Sequence, residues 1–348
     1  MFYSTLLTEH PPIFVGLYVD DFCFFSTSDA VKDEFCRRLN QQYTVSYENQ
    51  LEWFLGMQFV WRFHPDGYLQ CHIHQEAFIM DILDQLQLLN CNTSTRAMPF
   101  RSGFPVDTIP PSQLETSAQV VVTKQYQQLV LGDLNWLSIS TRPDLTSILT
   151  LLSEYTHKPS PQHLDSARFV AKYLSSTRTV GLYYTSNTSE HLNAYVHFPR
   201  NRDSLAAICD ANWGPMDASV PKPDSIPLEQ NFSALRSVSG WLAFYNGYPI
   251  AWGCVRHKDT AQSSCQAEIH AMNETTKLLL ELKLLFRNLG RPLDRAIPIT
   301  NDNQGAVQWS KGTTTKKLRW IDLHENLVRE NVLNDTISVS HILGRANV

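Results

Sequence analysis

Two groups of carboxylates carry the chemistry that this sequence offers. The first is Asp20–Asp21, set between the apolar runs IFVGLYV and FCFFST. Neighbouring side chains of a strand face opposite ways, so adjacent acids reach one point only where the chain bends. Held together between apolar flanks, they repel each other unless a cation lies between them. The plain alternative is a solvent-facing turn. The second group is dispersed. Asp210 follows the apolar strand Leu205–Cys209, Glu268 falls in the first turns of a long helix, and Asp302 ends a short strand beginning at Ile297. Acids at strand ends and a helix start can converge at one edge of a sheet. Each also has a local reading: Asp210 as a strand-end cap, Glu268 as a favourable charge on the helix dipole, and Asp302 as an N-cap.

The elements that must position these acids follow from periodicity and punctuation. Residues 13–27 read as two strands joined at Asp20–Asp21, followed by a helix over 30–41 with Ser28 or Asp29 as its cap. A hairpin spans 52–62 and 67–73, turning at His64-Pro65-Asp66-Gly67. A helix from Gln75 to Leu88 has Ile79, Ile82, Leu83 and Leu86 on one face. Residues 92–118, rich in Ser, Thr and Pro, read as a linker. Helices over 123–140, 143–157 and 161–175 form an all-helical block, with Asp144 or the preceding Thr as a cap at the TRPD break. From about residue 190 strands return, at 192–198, 204–210, 239–246 and 249–255, with a proline-rich loop at 215–230. A long helix runs from Ser264 to Leu289, then a strand at Ile297–Asn301, helices at 304–309 and 321–331, and a last strand at 337–343. This order fits an α+β or mixed-sheet domain.

Composition sets outer limits. The chain has 348 residues, of which 43% are hydrophobic and 18% charged, enough to bury cores in two or three domains. The net charge of −5 argues against a uniformly basic nucleic-acid binder, although a local basic track can sit on an acidic chain. Lys311, Lys316, Lys317 and Arg319 form such a track within nine residues, and a solvated helix face explains them equally well. Arg236, Ser237 and Ser239 either touch nucleic acid or start a strand. Seven cysteines without a CxxC pair give no zinc signature and suit a reducing interior. The N-terminal residues are not a signal peptide, and the sequence lacks an apolar run of about 18 residues. An intracellular location, cytoplasmic or nuclear, is expected.

YVDD within IFVGLYVDDFCFFST resembles the palm hairpin of copia-type retrotransposon reverse transcriptases. FLGMQF at 54–59, Gln75 with Phe78 and Ile79, Tyr126 to Trp136, TRPD at 141–144, Ala167–Leu174 and Gly181-Leu182-Tyr183-Tyr184 follow in that family's order. Further on, CDANW, RSVSGWLAFYNGYPIAW, SSCQAEIHA and NDNQGA resemble the copia-type ribonuclease H. The resemblance implies a Pol polyprotein segment with a palm and thumb remnant at 1–91, a linker at 92–118, a helical connection at 119–188 and a ribonuclease H-like domain at 189–348. That last domain is expected to have a mixed central sheet flanked by helices.

The resemblance places Asp20 and Asp21 on polymerase metal ligands, and Asp210, Glu268 and Asp302 on nuclease metal ligands. It implies two Mg²⁺ or Mn²⁺ ions at the nuclease site, hydrolysing the RNA strand of RNA–DNA hybrids. It assigns nucleic-acid contact to Tyr18, Gln75, Arg236, Ser237, Lys316, Lys317 and Arg319, with a hybrid or primer–template as partner. The family's third polymerase aspartate and the fingers would precede the first residues. Its fourth nuclease acid would follow the segment Gly344 to Val348. Trp320 and Asn326 stand where the family's helix around Asp322 usually has histidines. These departures predict no polymerisation by this chain and weak nuclease activity, or a catalytically dead relic that binds nucleic acid. Edge strands within 1–90 are expected to be sticky, because their sheet partners are missing.

Overall fold

The computed structural model describes residues 2–4, 11–89, 98–99, 116–187, 204–213, 236–312 and 326–344. The expected strand at 192–198, the loop at 215–230, most of the linker, Lys316, Lys317, Arg319 and Asp322 lie outside these residues.

Three sheets organise the described chain. The first is antiparallel and contains β1 (Phe2–Ser4), β2 (Ile13–Tyr18) and β3 (Asp21–Ser26) in that order. Its β2–β3 hairpin pairs Tyr18 with Asp21, so Val19 and Asp20 make the turn and Asp21 already belongs to the strand. Val19 has φ 51°, an unusual left-handed conformation for a β-branched residue, and the tight two-residue turn needs it. Helix α1 (Asp29–Asn40) is capped by Ser28, whose Oγ accepts from the Val31 N–H. Phe35 of this helix meets Phe22 and Phe24 of β3, with ring centroids 6.3 and 5.4 Å apart.

The second sheet, also antiparallel, runs β4 (Trp53–Phe54), β5 (Met57–Phe63), β6 (Leu69–His74), β7 (Leu182–Thr185). The single strand expected over 52–62 is two strands, because Leu55 and Gly56 adopt φ 51° and 72° and reverse the chain. Strand β7 was not expected at all. Its four residues pair with β6, and Gly181 permits that approach: a Cβ there would lie 2.1 Å from the Ile73 carbonyl oxygen.

A helical unit is threaded between β6 and β7. It contains α2 (Glu76–Gln85), α3 (Thr116–Gln127), a π-helical turn (Gln128–Leu134), α4 (Asn135–Ser140), a 3-10 turn (Pro143–Leu145), α5 (Thr146–Ser153) and α6 (Pro161–Ser176). Ile79, Ile82 and Leu83 of α2 share one buried core with Tyr126, Leu137, Leu152 and Leu174. The TRPD break is tied by Arg142 and not by a helix cap. Its buried guanidinium donates twice to Asp144, at 2.9 and 2.7 Å, and to the Thr177 carbonyl at 3.0 Å.

The third sheet is mixed, with order β10-β9-β8-β11-β12. It comprises β8 (Leu205–Asn212), β9 (Val238–Tyr245), β10 (Tyr248–Arg256), β11 (Ile297–Asn301) and β12 (Ile337–His341). The pairs β8–β9 and β9–β10 are antiparallel, whereas β8–β11 and β11–β12 are parallel. Helix α7 (Ser264–Asn288) packs on β8 and β9, with α8 (Gln304–Ser310) and α9 (Asn326–Leu333) beside it. Their core holds Ala207, Cys209, Ile269, Met272, Ile299, Trp309 and Val339.

The exposed edge strand β10 is covered by the helical unit. Trp252 Nε1 donates to the Ser138 carbonyl at 2.7 Å, and Arg256 pairs with Glu154 at 2.9 Å. Such cover removes an open edge that could pair with another chain. Among the described residues no helix is long and apolar enough to cross a membrane.

Candidate metal centre

Strand β8 is buried along Leu205–Cys209 because it is central and covered on both faces, and it emerges at Asp210, which is exposed. Helix α7 begins beneath it. Ser263 caps that helix, its Oγ accepting from the Gln266 N–H at 3.2 Å, which fixes where Glu268 falls on the first turns. Glu268 is 5% exposed. Asp302 follows the last residue of β11, the parallel neighbour of β8. Three separate elements therefore deliver three acids to one place, and one carboxylate oxygen from each lies within 4.8 Å of the others. Among the described residues this is the one group of three or more metal-ligating side chains.

Electrostatics in the cluster follow from burial and like charge. Burial pushes the Glu268 carboxyl up to about 7. Hydrogen bonding to Asn301 opposes that rise, and the charges of Asp210 and Asp302 add to it. Asn301 was not among the residues singled out by type and spacing, yet it holds the site together. Its Nδ2 donates to Glu268 Oε2 at 2.7 Å and to the Cys209 carbonyl at 3.1 Å, while its Oδ1 accepts from the Asn303 N–H at 2.9 Å. A signal existed: β11 alternates, with Ile297, Ile299 and Asn301 on the buried phase, so Asn301 is a polar residue in a core position.

Of the local readings, the cap on α8 is made by Asn303, whose Oδ1 accepts from the Ala306 N–H, and not by Asp302. The Asp302 carbonyl instead accepts from His341 Nε2 at 3.0 Å. Gly344 passes so near that a Cβ there would lie 2.9 Å from Asp302 Oδ2. An all-oxygen set with converging negative charge and one carboxyl held near neutrality fits a hard divalent cation such as Mg²⁺. It offers no soft ligand.

The remaining nominated residues are spread out. Asp20 and Asp21 are both exposed at the tip of the β2–β3 hairpin, and Tyr18 beside them is 58% exposed. Among the described residues no third acid joins them. Gln75 is 0% exposed and accepts from Thr141 Oγ1 at 2.7 Å, a bond that ties the start of α2 to the TRPD turn. Ser237 is likewise 0% exposed, and its carbonyl accepts from the His257 N–H at the start of β9. Arg236, next to it, is half-buried at the surface. Ser239 is buried against His257 Nε2 and stays off the surface. Burial holds that imidazole neutral, with its pKa lowered to about 4.

The chain is a homologue of copia-type retrovirus-related Pol polyproteins over about 95% of its length. It is 23% identical over 331 residues to the retrovirus-related Pol polyprotein from transposon RE1 of Arabidopsis thaliana and 25% identical over 332 residues to that from transposon RE2 of the same plant. A Pol polyprotein from transposon TNT 1-94 of Nicotiana tabacum matches over 99% of the chain at 21% identity. The chain spans 20% of the length of the two Arabidopsis relatives. No family model matches. Among solved structures, ribonuclease H1 of Halobacterium salinarum aligns with 41% of the chain at 14% identity and a TM-score of 0.29.

Proposed function

We propose that this chain is the part of a retrotransposon Pol protein that carries a two-metal ribonuclease H site, hydrolysing the RNA strand of RNA–DNA hybrids. The observation that carries the reading is the convergence of Asp210, Glu268 and Asp302, from β8, α7 and β11, within 4.8 Å. In this reading residues 1–91 are the palm and thumb remnant of a reverse transcriptase, 92–118 a linker, 119–188 the connection and 189–348 the nuclease. Asp20 and Asp21 belong to the polymerase chemistry of the parent protein, and Tyr18 to its nucleic-acid contacts.

Asp210, Glu268 and Asp302 would hold two Mg²⁺ ions. Held there, such ions would supply a nucleophile at neutral pH and charge stabilisation for phosphodiester hydrolysis. The protein's own contribution is placement. Asn301 fixes the rotamer of Glu268 through its 2.7 Å hydrogen bond and anchors it to the β8 backbone at Cys209. Asp210, exposed at its strand end, faces the side from which a phosphate can approach. A hybrid would be selected by backbone shape and 2′-hydroxyl contacts.

Incubation of the chain with a labelled RNA–DNA hybrid and Mg²⁺ tests this. Cleavage confined to the RNA strand is expected, and Glu268→Gln should lower the rate on the order of 10³-fold, a loss of several kcal/mol of charge stabilisation. If the wild-type chain binds the hybrid without cutting it, the nuclease reading fails and a nucleic-acid-binding relic remains.

A further inference from the structure

We propose that Trp213 is a nucleotide-contacting platform beside the acid cluster, a role that rests on the hybrid-nuclease reading and extends it. Trp213 directly follows Asn212, the last residue of β8, and stands three positions beyond Asp210. It is 54% exposed. Among the described residues from 204 onward it is the one aromatic side chain with so much of its surface in water; the other exposed large hydrophobics there are Val255 and leucines. A Trp left in solvent by chance keeps its rotamers. This one does not, because its indole Nε1 donates to the Ala261 carbonyl at 3.0 Å.

That bond places the ring. Ala261 is buried, and it lies two residues before Ser263, the cap of the helix that carries Glu268. The indole therefore bridges the two segments that supply Asp210 and Glu268, with its polar edge satisfied by protein and more than half of the residue left in water. Apolar body and anchored polar edge are the division of labour expected of an aromatic at a recognition surface. A ring held in advance loses little conformational freedom on binding.

The ligand class follows from position and charge. A phosphodiester presented to Asp210 and Glu268 brings its flanking sugars and bases within reach of the residue at the end of the same strand. The chain carries a net charge of −5, so attraction for phosphate is limited and non-ionic contact has more to supply. Indole faces stack on bases and sugars without regard to sequence, which matches a nuclease that reads shape. The platform thus holds a nucleotide adjoining the scissile phosphate of the hybrid.

The test is hybrid binding by fluorescence anisotropy with Ca²⁺ in place of Mg²⁺, across a series of KCl concentrations. Trp213→Ala should weaken binding roughly 5- to 150-fold, the range for loss of one base–aromatic contact. The slope of log affinity against log salt should not change, because no phosphate contact is lost. Trp213→Phe, which keeps a stacking ring but loses the Ala261 anchor, should bind between wild type and the Ala variant. Wild-type affinity in the Ala variant overturns the proposal, as does equal loss in the Phe and Ala variants. An Ala variant that melts well below wild type makes the Phe variant decisive. A wild-type chain that binds no hybrid at all sinks the nuclease reading itself, a result distinct from either.

Discussion

Asp20 and Asp21 are neighbours in the chain, whereas Asp210, Glu268 and Asp302 come from two strands of a different sheet and the helix packed on it. The adjacent pair sits on a two-residue turn, exposed to water, with no further acid brought to it among the described residues. The dispersed trio converges within 4.8 Å, and one member is almost wholly buried. Burial of Glu268, with the charges of Asp210 and Asp302 added, raises its carboxyl to about 7. A fold concentrates charge only where packing forbids the side chains to swing apart, and the hydrogen bonds of Asn301 impose that constraint here.

Four measurements sharpen or break this contrast. The largest effect is expected from Glu268→Gln on the metal-free protein. The folded-state pKa of about 7 exceeds the ordinary 4.5, so between those values the folded chain holds more protons than the unfolded chain. Stability therefore falls as pH rises from 4.5 to 7. The variant should abolish that slope and be more stable than wild type at pH 8 by about 3 kcal/mol. Parallel urea melts at pH 5 and pH 8 decide it, and an unchanged slope would show that Glu268 is not held under strain.

Next in size is the response to metal. Mg²⁺ at about 100 times its dissociation constant should raise wild-type stability by about 2.7 kcal/mol, and Glu268→Gln should respond much less. An equal rise in both would place the binding elsewhere. Third, Asn301→Ala should lower Mg²⁺ affinity or activity about 10- to 100-fold, the usual cost of losing a side chain that orients a ligand. Calorimetric titration of the variant checks this; wild-type affinity would remove Asn301 from the site. Smallest is the double change Asp20→Asn, Asp21→Asn, expected to alter stability by under about 0.5 kcal/mol and to leave hybrid cleavage unchanged. A drop in cleavage would mean that the two acid groups communicate.

The elements of the mixed sheet were legible because they are long and their punctuation is strong. Strand β11 occupies Ile297–Asn301 as read, and α7 begins at Ser264 behind its Ser cap. The second sheet was read less well. Leu55–Gly56 looks like the middle of an apolar run, and only its positive φ angles reveal the reversal. Strand β7 has four residues and depends on a partner from another part of the chain, so local pattern cannot find it. The acids of the site were found by resemblance. Taken singly, each had a satisfactory local explanation, and Asp302 lost its own to Asn303. Gln75 and Ser237 are both buried, which residue type and spacing alone did not disclose.

Strand β7 also sets a timetable. Its partner β6 ends at His74, and β7 starts at Leu182, so 182 − 74 = 108 positions of chain separate them. A ribosome adding about 5–20 residues per second needs roughly 5–20 s to cover that interval. For that time the outer edge of β6 is complete and has no neighbour, while the helices that will fold over it are still being made. Pairings of such long sequence separation form late in any case. During synthesis this protein thus carries a bare strand edge that the finished molecule covers, and Gly181 is what lets β7 close against Ile73 to cover it.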